Sequence, residues 1–108
     1  MEHYEIAYDH VRSRVEVRRD GAALGYVEYG LRADAAVLAF THVGRAGSDA
    51  EAALLDGAIT LLRDRGYRIV PLCPRVRAFL TAHPDRQTGV DTRFLDGRAG
   101  RAGWPVAG

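Results

Sequence analysis

Ser13-Arg14-Val15-Glu16-Val17-Arg18-Arg19 alternates polar and apolar positions, the period-two pattern of a half-buried strand, and leads into Asp20-Gly21. Asp-Gly suits the two left-handed backbone positions of a tight hairpin turn. Residues 22–30, with Leu24, Tyr26, Val27 and Tyr29 in the interior, therefore read as the antiparallel partner of a first strand at 13–19. Arg32-Ala33-Asp34 turns the chain into residues 35–43, where the run Val37-Leu38-Ala39-Phe40 predicts a central strand buried on both faces. The pattern predicts a meander of three consecutive strands.

The period then changes from two to 3.6. After the short loop Gly44-Arg45-Ala46-Gly47, the residues Leu54, Leu55, Ala58, Ile59, Leu61 and Leu62 form an apolar stripe at helical spacing, closed by Arg63, Arg65 and Gly66. Ser48-Asp49-Ala50-Glu51 at its start has the form of a capping box, in which the Ser48 oxygen accepts from the Glu51 N–H and the Glu51 carboxylate returns to the Ser48 N–H. Tyr67-Arg68-Ile69-Val70-Pro71 reads as a short strand, completing a βαβ unit, and residues 74–82 as a second, shorter helix before His83-Pro84-Asp85. The expected fold is thus α+β: an antiparallel N-terminal β-meander, a βαβ unit and a short C-terminal helix over residues 1–90. From Asp91 onward Gly97, Gly100, Gly103 and Gly108 interrupt a Gly/Arg-rich tail expected to be poorly ordered, with Trp104 able to anchor it onto the domain or onto a second subunit of a homodimer.

Composition narrows the function classes. A chain of 108 residues, 47% hydrophobic and 27% charged, makes one domain with one core. The net charge of +1, with both signs interspersed, offers no phosphate-tracking face, so no nucleic-acid partner is expected. All 15 basic residues are arginine, which is read as compositional bias. No apolar run approaches the ~20 residues that span a bilayer, and Met1-Glu2-His3-Tyr4-Glu5 lacks a basic region followed by an apolar one; a cytoplasmic protein without a membrane partner is expected. His3, His10, His42 and His83 lie far apart without ligand spacing, so no metal site is expected.

Candidate chemistry concentrates at Pro71-Leu72-Cys73-Pro74-Arg75-Val76, where the single cysteine stands between two prolines at a strand-to-helix junction. Pro74 suits the first helical position, which puts Cys73 at the helix N-terminus, where backbone N–H dipoles favour a thiolate. The alternative reading of Cys73 is a small buried hydrophobe.

The order of elements, a strand ending near Thr41-His42-Val43, a Gly-containing loop, an amphipathic helix, then Val70-Pro71-Leu72-Cys73-Pro74 with Val76 behind it and His83-Pro84 nine residues beyond Pro74, resembles the small single-domain branch of the Gcn5-related N-acetyltransferase superfamily over residues 13–90. The resemblance implies a three-layer arrangement and a cleft for acetyl-CoA where two parallel strands splay. It implies that Phe40, Thr41, His42 and Val43 face pantetheine, that Gly44, Arg45, Ala46, Gly47, Ser48 and Asp49 form the pyrophosphate loop, and that Cys73, followed by Pro74, lies at the thioester end as the catalytic residue. The family's loop reads roughly Arg/Gln-x-x-Gly-x-Gly/Ala, whereas here Ser48 or Asp49 falls on the middle glycine and the segment is shorter. The acidic capping box competes with a pyrophosphate for the same N–H donors.

Three readings follow. In the first, an acetyl group passes directly from acetyl-CoA to an amine, with Cys73 as proton donor or transient carrier and Glu28 and Tyr29 as acceptor-side groups. In the second, the domain has lost CoA binding and serves as a dimerisation or partner-binding module. A Cys-dependent hydrolase built on Cys73 with His42 or His83 is the third.

Overall fold

The computed structural model describes residues 3–44 and 47–95. The chain forms β1 (Glu5–Asp9), β2 (Arg14–Arg19), β3 (Ala22–Arg32), β4 (Ala35–Val43), α1 (Gly47–Asp64), β5 (Arg68–Pro71) and α2 (Pro74–Ala82), followed by 3-10 turns at Pro84–Arg86 and Thr92–Phe94. The strands lie in one sheet in sequence order. β1 to β4 are antiparallel, and β4 and β5 are parallel across α1. The expected α+β fold, meander first and βαβ second, is the observed one. Among the described residues no helix is long and apolar enough to cross a membrane.

Local chemistry sets each turn. Arg19 pairs with Ala22, and the two residues between them, Asp20 (φ 53°) and Gly21 (φ 80°), both take the left-handed conformation of a type I′ hairpin. At the end of α1, Gly66 (φ 92°) donates its N–H to the Arg63 carbonyl at 2.8 Å and Tyr67 donates to Leu62 at 3.1 Å, the paired bonds of a Schellman C-cap. β1 extends the meander to four strands. Its sequence, EIAYD, offers only Ile6 and Tyr8 as large apolar side chains, and its place is set by pairing with β2 and by Ile6 lying against Gly57 of α1.

The two faces of the sheet differ. Val15 and Val17 of β2, Val27 and Tyr29 of β3, Ala36 and Leu38 of β4 and Ile69 of β5 turn inward and join Leu54, Leu55, Ala58, Ile59 and Leu62 of α1 and Val76 and Leu80 of α2 in one core. Both helices thus cover the same face, giving two layers where three were expected. β4 is correspondingly not buried on both sides. Ala39 and Phe40 are exposed, because nothing among the described residues covers the second face. A bulge governs this strand: Tyr29 pairs with Leu38 but Glu28 with Phe40, which leaves Ala39 as the extra residue. An extra residue inverts the in–out alternation beyond it, so Thr41 points inward while Phe40 and His42 point outward.

The chain past α2 folds back onto β5. Ile69 donates to the Gly89 carbonyl at 2.9 Å and accepts from Asp91 N–H at 2.8 Å. The Asp91 carboxylate receives Arg93 at 2.7 Å and Arg68 at 3.3 Å. Residues 91–95, expected to be poorly ordered, are therefore tied to the sheet edge; the rest of the tail, Trp104 included, lies outside the described residues.

Two predictions follow from these contacts. A Cβ at Gly25 would stand 2.5 Å from the His42 carbonyl oxygen and 3.0 Å from Val43 Cα, both backbone atoms, whereas one at Gly30 meets nothing within 4 Å. Gly25→Ala should destabilise the domain by about 1–3 kcal/mol, and Gly30→Ala should be nearly neutral, as read by urea unfolding. Hydrogen bonding from Arg93 holds the Asp91 carboxyl below its ordinary value of 3.8. A depressed carboxylate contributes stability that is present above that value and lost as pH falls through the lower folded one, so Asp91→Asn should flatten the loss of stability below about pH 4.

Candidate active site

The site grows from one carbonyl. β4 and β5 pair from Ala35↔Arg68 to Leu38↔Pro71 and no further. At that point the Leu38 oxygen accepts two N–H groups, from Leu72 at 3.1 Å and Cys73 at 2.9 Å. The prolines on either side explain the parting: neither Pro71 nor Pro74 brings an N–H to a ladder, and Pro74 fits the first turn of a helix. α2 starts at Pro74 with Cys73 as N-cap, in extended conformation (φ −69°, ψ 130°). β4 runs on for residues 39–43 with no strand among the described residues beside it on the β5 side.

Cys73 stands at the vertex of this cleft. It is buried in the core, and its Sγ lies 3.3 Å from the Thr41 Oγ1, itself buried. The bulge at Ala39 brings these two polar atoms together, since without it Thr41 would face the other way. Cys73 makes no side-chain bond to the first turn of α2; the hydroxyl of Thr41 is its polar neighbour.

On the helix side, α1 begins at Gly47, which enters it at φ +87°. Ser48 thus falls inside the helix, and the expected capping box is not formed. The Glu51 carboxylate reaches Arg75 Nη1 of α2 at 3.1 Å in place of the Ser48 N–H. Beside this ion pair lies a cavity of about 350 Å³ lined by Ser48, Glu51, Ala52, Leu55, Arg75, Ala78 and Phe79. Gly44 and Asp49 are exposed at either end of the loop, while Arg45 and Ala46 lie outside the described residues. Val43, half-buried, packs against the core.

The remaining candidates separate. Phe40 and His42 lie on the uncovered face with Tyr26, at ring separations of 6.3 Å and 5.5 Å from it. Glu28 is exposed on that same face, whereas Tyr29 is buried in the core and stacked on Tyr8 at 6.0 Å. Burial, then the hydrogen bond with Tyr8, pushes the Tyr29 phenol well above its ordinary value. A phenol so placed is a packing group. His83 is occupied with the Phe79 carbonyl at 2.7 Å and the Phe79 ring at 4.3 Å, and His42 with Tyr26, so among the described residues neither serves as a base for Cys73. Sequence reasoning missed Arg75 and Tyr26. Alternation along β3 puts Tyr26 on the face of Glu28, which the Asp20-Gly21 hairpin register could have shown; nothing local announces that Arg75 meets Glu51 twenty-four positions earlier in the chain.

A search of curated proteins returns no match to this sequence. A family model described as GCN5-related N-acetyl-transferase matches residues 12–89. That stretch runs from the start of β2 past α2 and contains the parted strands, Thr41 and Cys73, and with more than half its length so matched the chain belongs to the GCN5-related N-acetyltransferase family.

Proposed function

We propose that the domain transfers an acetyl group from acetyl-CoA directly to an amine in the cleft between β4 and β5. The observation that carries this reading is the parting of the two strands at Leu38, which leaves the backbone of residues 39–43 as a free edge beside Cys73. Unpaired strand groups need partners, and an extended chain carrying amides, such as pantetheine, supplies them by adding to the edge. The backbone of Phe40, Thr41, His42 and Val43 would hold pantetheine whichever way their side chains turn. The loop from Gly44 to Asp49 and the cavity beside Arg75 would hold the phosphate-bearing half. When bound, acetyl-CoA supplies the activated thioester.

The chain's own groups then divide the work. Because the N–H groups of Leu72 and Cys73 are both taken by the Leu38 carbonyl, the donor that polarises the thioester carbonyl has to come from β4 beyond Leu38. As the amine nitrogen forms the C–N bond and the C–S bond breaks, Cys73 gives its Sγ proton to the departing thiolate and regains one from the proton the amine loses. Thr41 is a positioning residue: its hydroxyl fixes the direction of the thiol.

The second reading, a domain that binds a protein partner without using CoA, is favoured by one observation. Glu51 and Asp49 place two carboxylates on the first turns of α1, and Glu51 already occupies Arg75. Titration with acetyl-CoA separates the two. Saturation at 100 times Kd should add about 2.7 kcal/mol and raise Tm by roughly ten degrees or more. Glu51→Gln should tighten binding several-fold by freeing Arg75. No heat and no shift at millimolar acetyl-CoA, in the wild type and in Glu51→Gln, would overturn the transferase reading in favour of the partner-binding one.

Cys73→Ala should lower kcat about 100-fold with little change in acetyl-CoA affinity. Thr41→Val should do so in part, shifting the pH profile of kcat, and Thr41→Ser should restore it. Unchanged turnover in Cys73→Ala would remove the thiol from the mechanism.

A further inference from the structure

The uncovered face of the sheet carries side chains that the core does not account for. In register across β2, β3 and β4, one row reads Arg14, Glu28, Phe40 and the next Glu16, Tyr26, His42. Phe40 is 49% exposed, an unusual position for a phenylalanine on a strand whose other face is packed. Tyr26 touches both Phe40 and His42, so the three rings form one continuous aromatic strip. A cavity of about 590 Å³ opens at the Tyr26–His42 end of the strip, lined by Arg14, Ala23, Leu24, Gly25, Tyr26, His42 and Gly44, with Phe40 and Glu28 in the neighbouring row outside it.

Charge on this face is not evenly matched. Arg14 is the register neighbour of Glu28 but turns away from it, to Glu16 at 3.2 Å and onto the Tyr26 ring at 4.3 Å. Arg18 also takes Glu16, at 2.9 Å. Glu16 is therefore doubly compensated, while Glu28 forms no ion pair or hydrogen bond with the described residues. An uncompensated carboxylate beside an exposed phenyl ring is complementary to a cation with an apolar body, since Glu28 and the Phe40 ring both attract an ammonium, whereas the Tyr26 face is already covered by Arg14 and offers only its edge to the body.

Position adds the second argument. Counting along β4 from the vertex at Leu38, Phe40 is the first outward-facing side chain after the bulged Ala39, and Glu28 lies directly across from it. The helix face of the same stretch is filled by Thr41, Cys73 and the core. A second substrate can therefore reach the free β4 edge over the uncovered face, with its amine at Phe40 and Glu28 and its body along Tyr26 and His42 toward Gly44.

We propose that this groove, together with the Glu28–Phe40 row beside it, is the acceptor site, and that it takes a primary amine on an apolar or aromatic body, bound as its ammonium and reacting as the free amine after giving one proton to water. Glu28 binds the charge, and Phe40 and Tyr26 bind the body. The inference rests on the acetyl-transfer reading for its catalytic meaning, but amine binding can be measured without acetyl-CoA.

The test is titration of phenethylamine into the 15N-labelled full chain, followed by amide shifts, with glutamate as the acidic control. Phenethylamine should move the amides of Tyr26, Glu28, Phe40 and His42, and glutamate should not. Glu28→Gln and Phe40→Ala should each raise the phenethylamine Kd about tenfold. In acetyl-transfer assays Glu28→Gln should raise the amine KM similarly while leaving acetyl-CoA affinity unchanged. Both residues are exposed, and unchanged spectra elsewhere in the sheet verify that each variant keeps the fold. Absence of shifts at tens of millimolar amine, shifts confined to another face, equal response to glutamate, or wild-type affinity in both variants would each overturn the acceptor groove. Acetyl transfer that is intact in Glu28→Gln and Phe40→Ala would overturn it while leaving the transferase reading standing. Specific amine binding with acetyl-CoA binding absent would instead overturn the transferase reading and keep the groove as an amine site.

Discussion

The Leu38 carbonyl is the pivot of this molecule. It receives the N–H groups of both Leu72 and Cys73, and in doing so ends the parallel pairing of β4 and β5 and turns the chain into α2. A carbonyl has two lone pairs, so both bonds are available to it without leaving a neighbour unsatisfied. A ladder continued past Leu38 would have needed a free N–H at position 74, which proline lacks. Strand divergence, the placement of Cys73 and the free edge of β4 are three consequences of this single junction.

The bulge at Ala39 then decides what faces the cleft. Side-chain alternation has a period of two, so one extra residue exchanges the faces for everything after it. With the bulge, Thr41 meets Cys73 inside and the rings of Phe40 and His42 join Tyr26 outside. Had the strand been regular, Phe40 would lie in the core and Thr41 in solvent. One residue of register therefore separates a polar pair at the vertex from an apolar one, and an aromatic outer strip from a polar one.

The same two features explain what could be read from the sequence. The hairpin at Asp20-Gly21, the stripe of α1, its end at Gly66 and the start of α2 at Pro74 are local, each resting on a conformational preference of one or two residues, and each is where the pattern puts it. β1 has only Ile6 and Tyr8 to mark it, and its burial comes from β2 and from the close approach allowed by Gly57, which are long-range facts. The run Val37-Leu38-Ala39-Phe40 looks doubly buried because hydrophobicity alone does not say how many layers will cover a sheet. The capping box failed for a similar reason. Its local geometry is sound, but Arg75 offers Glu51 a full charge where Ser48 offers only an N–H. Cys73 was legible because the prolines that frame it are local signals; Thr41 as its partner was not, because that depends on the bulge.

The Glu51–Arg75 pair bears on whether the cleft can accept a phosphate-bearing ligand, and its strength can be bounded. The two side chains are 26% and 54% exposed, so water screens the attraction and side-chain entropy opposes it; such pairs contribute roughly 0–1 kcal/mol. A diphosphate offers the same guanidinium more oxygen acceptors and more charge, and bidentate contact with a planar fork is among the stronger charge-assisted interactions. The acidic first turn of α1 favours the helix by roughly 0.3–1 kcal/mol per exposed group, an amount of the same order. The groups that oppose an anion here are therefore individually weak and solvent-accessible, and they can move aside without disturbing the core. The acid-rich helix start would lower the affinity for a phosphate-bearing ligand without closing the cleft, whereas the Thr41–Cys73 pair is buried and the parting of the strands is fixed by backbone bonds. The durable part of the architecture is the part that the proposed transfer chemistry would use.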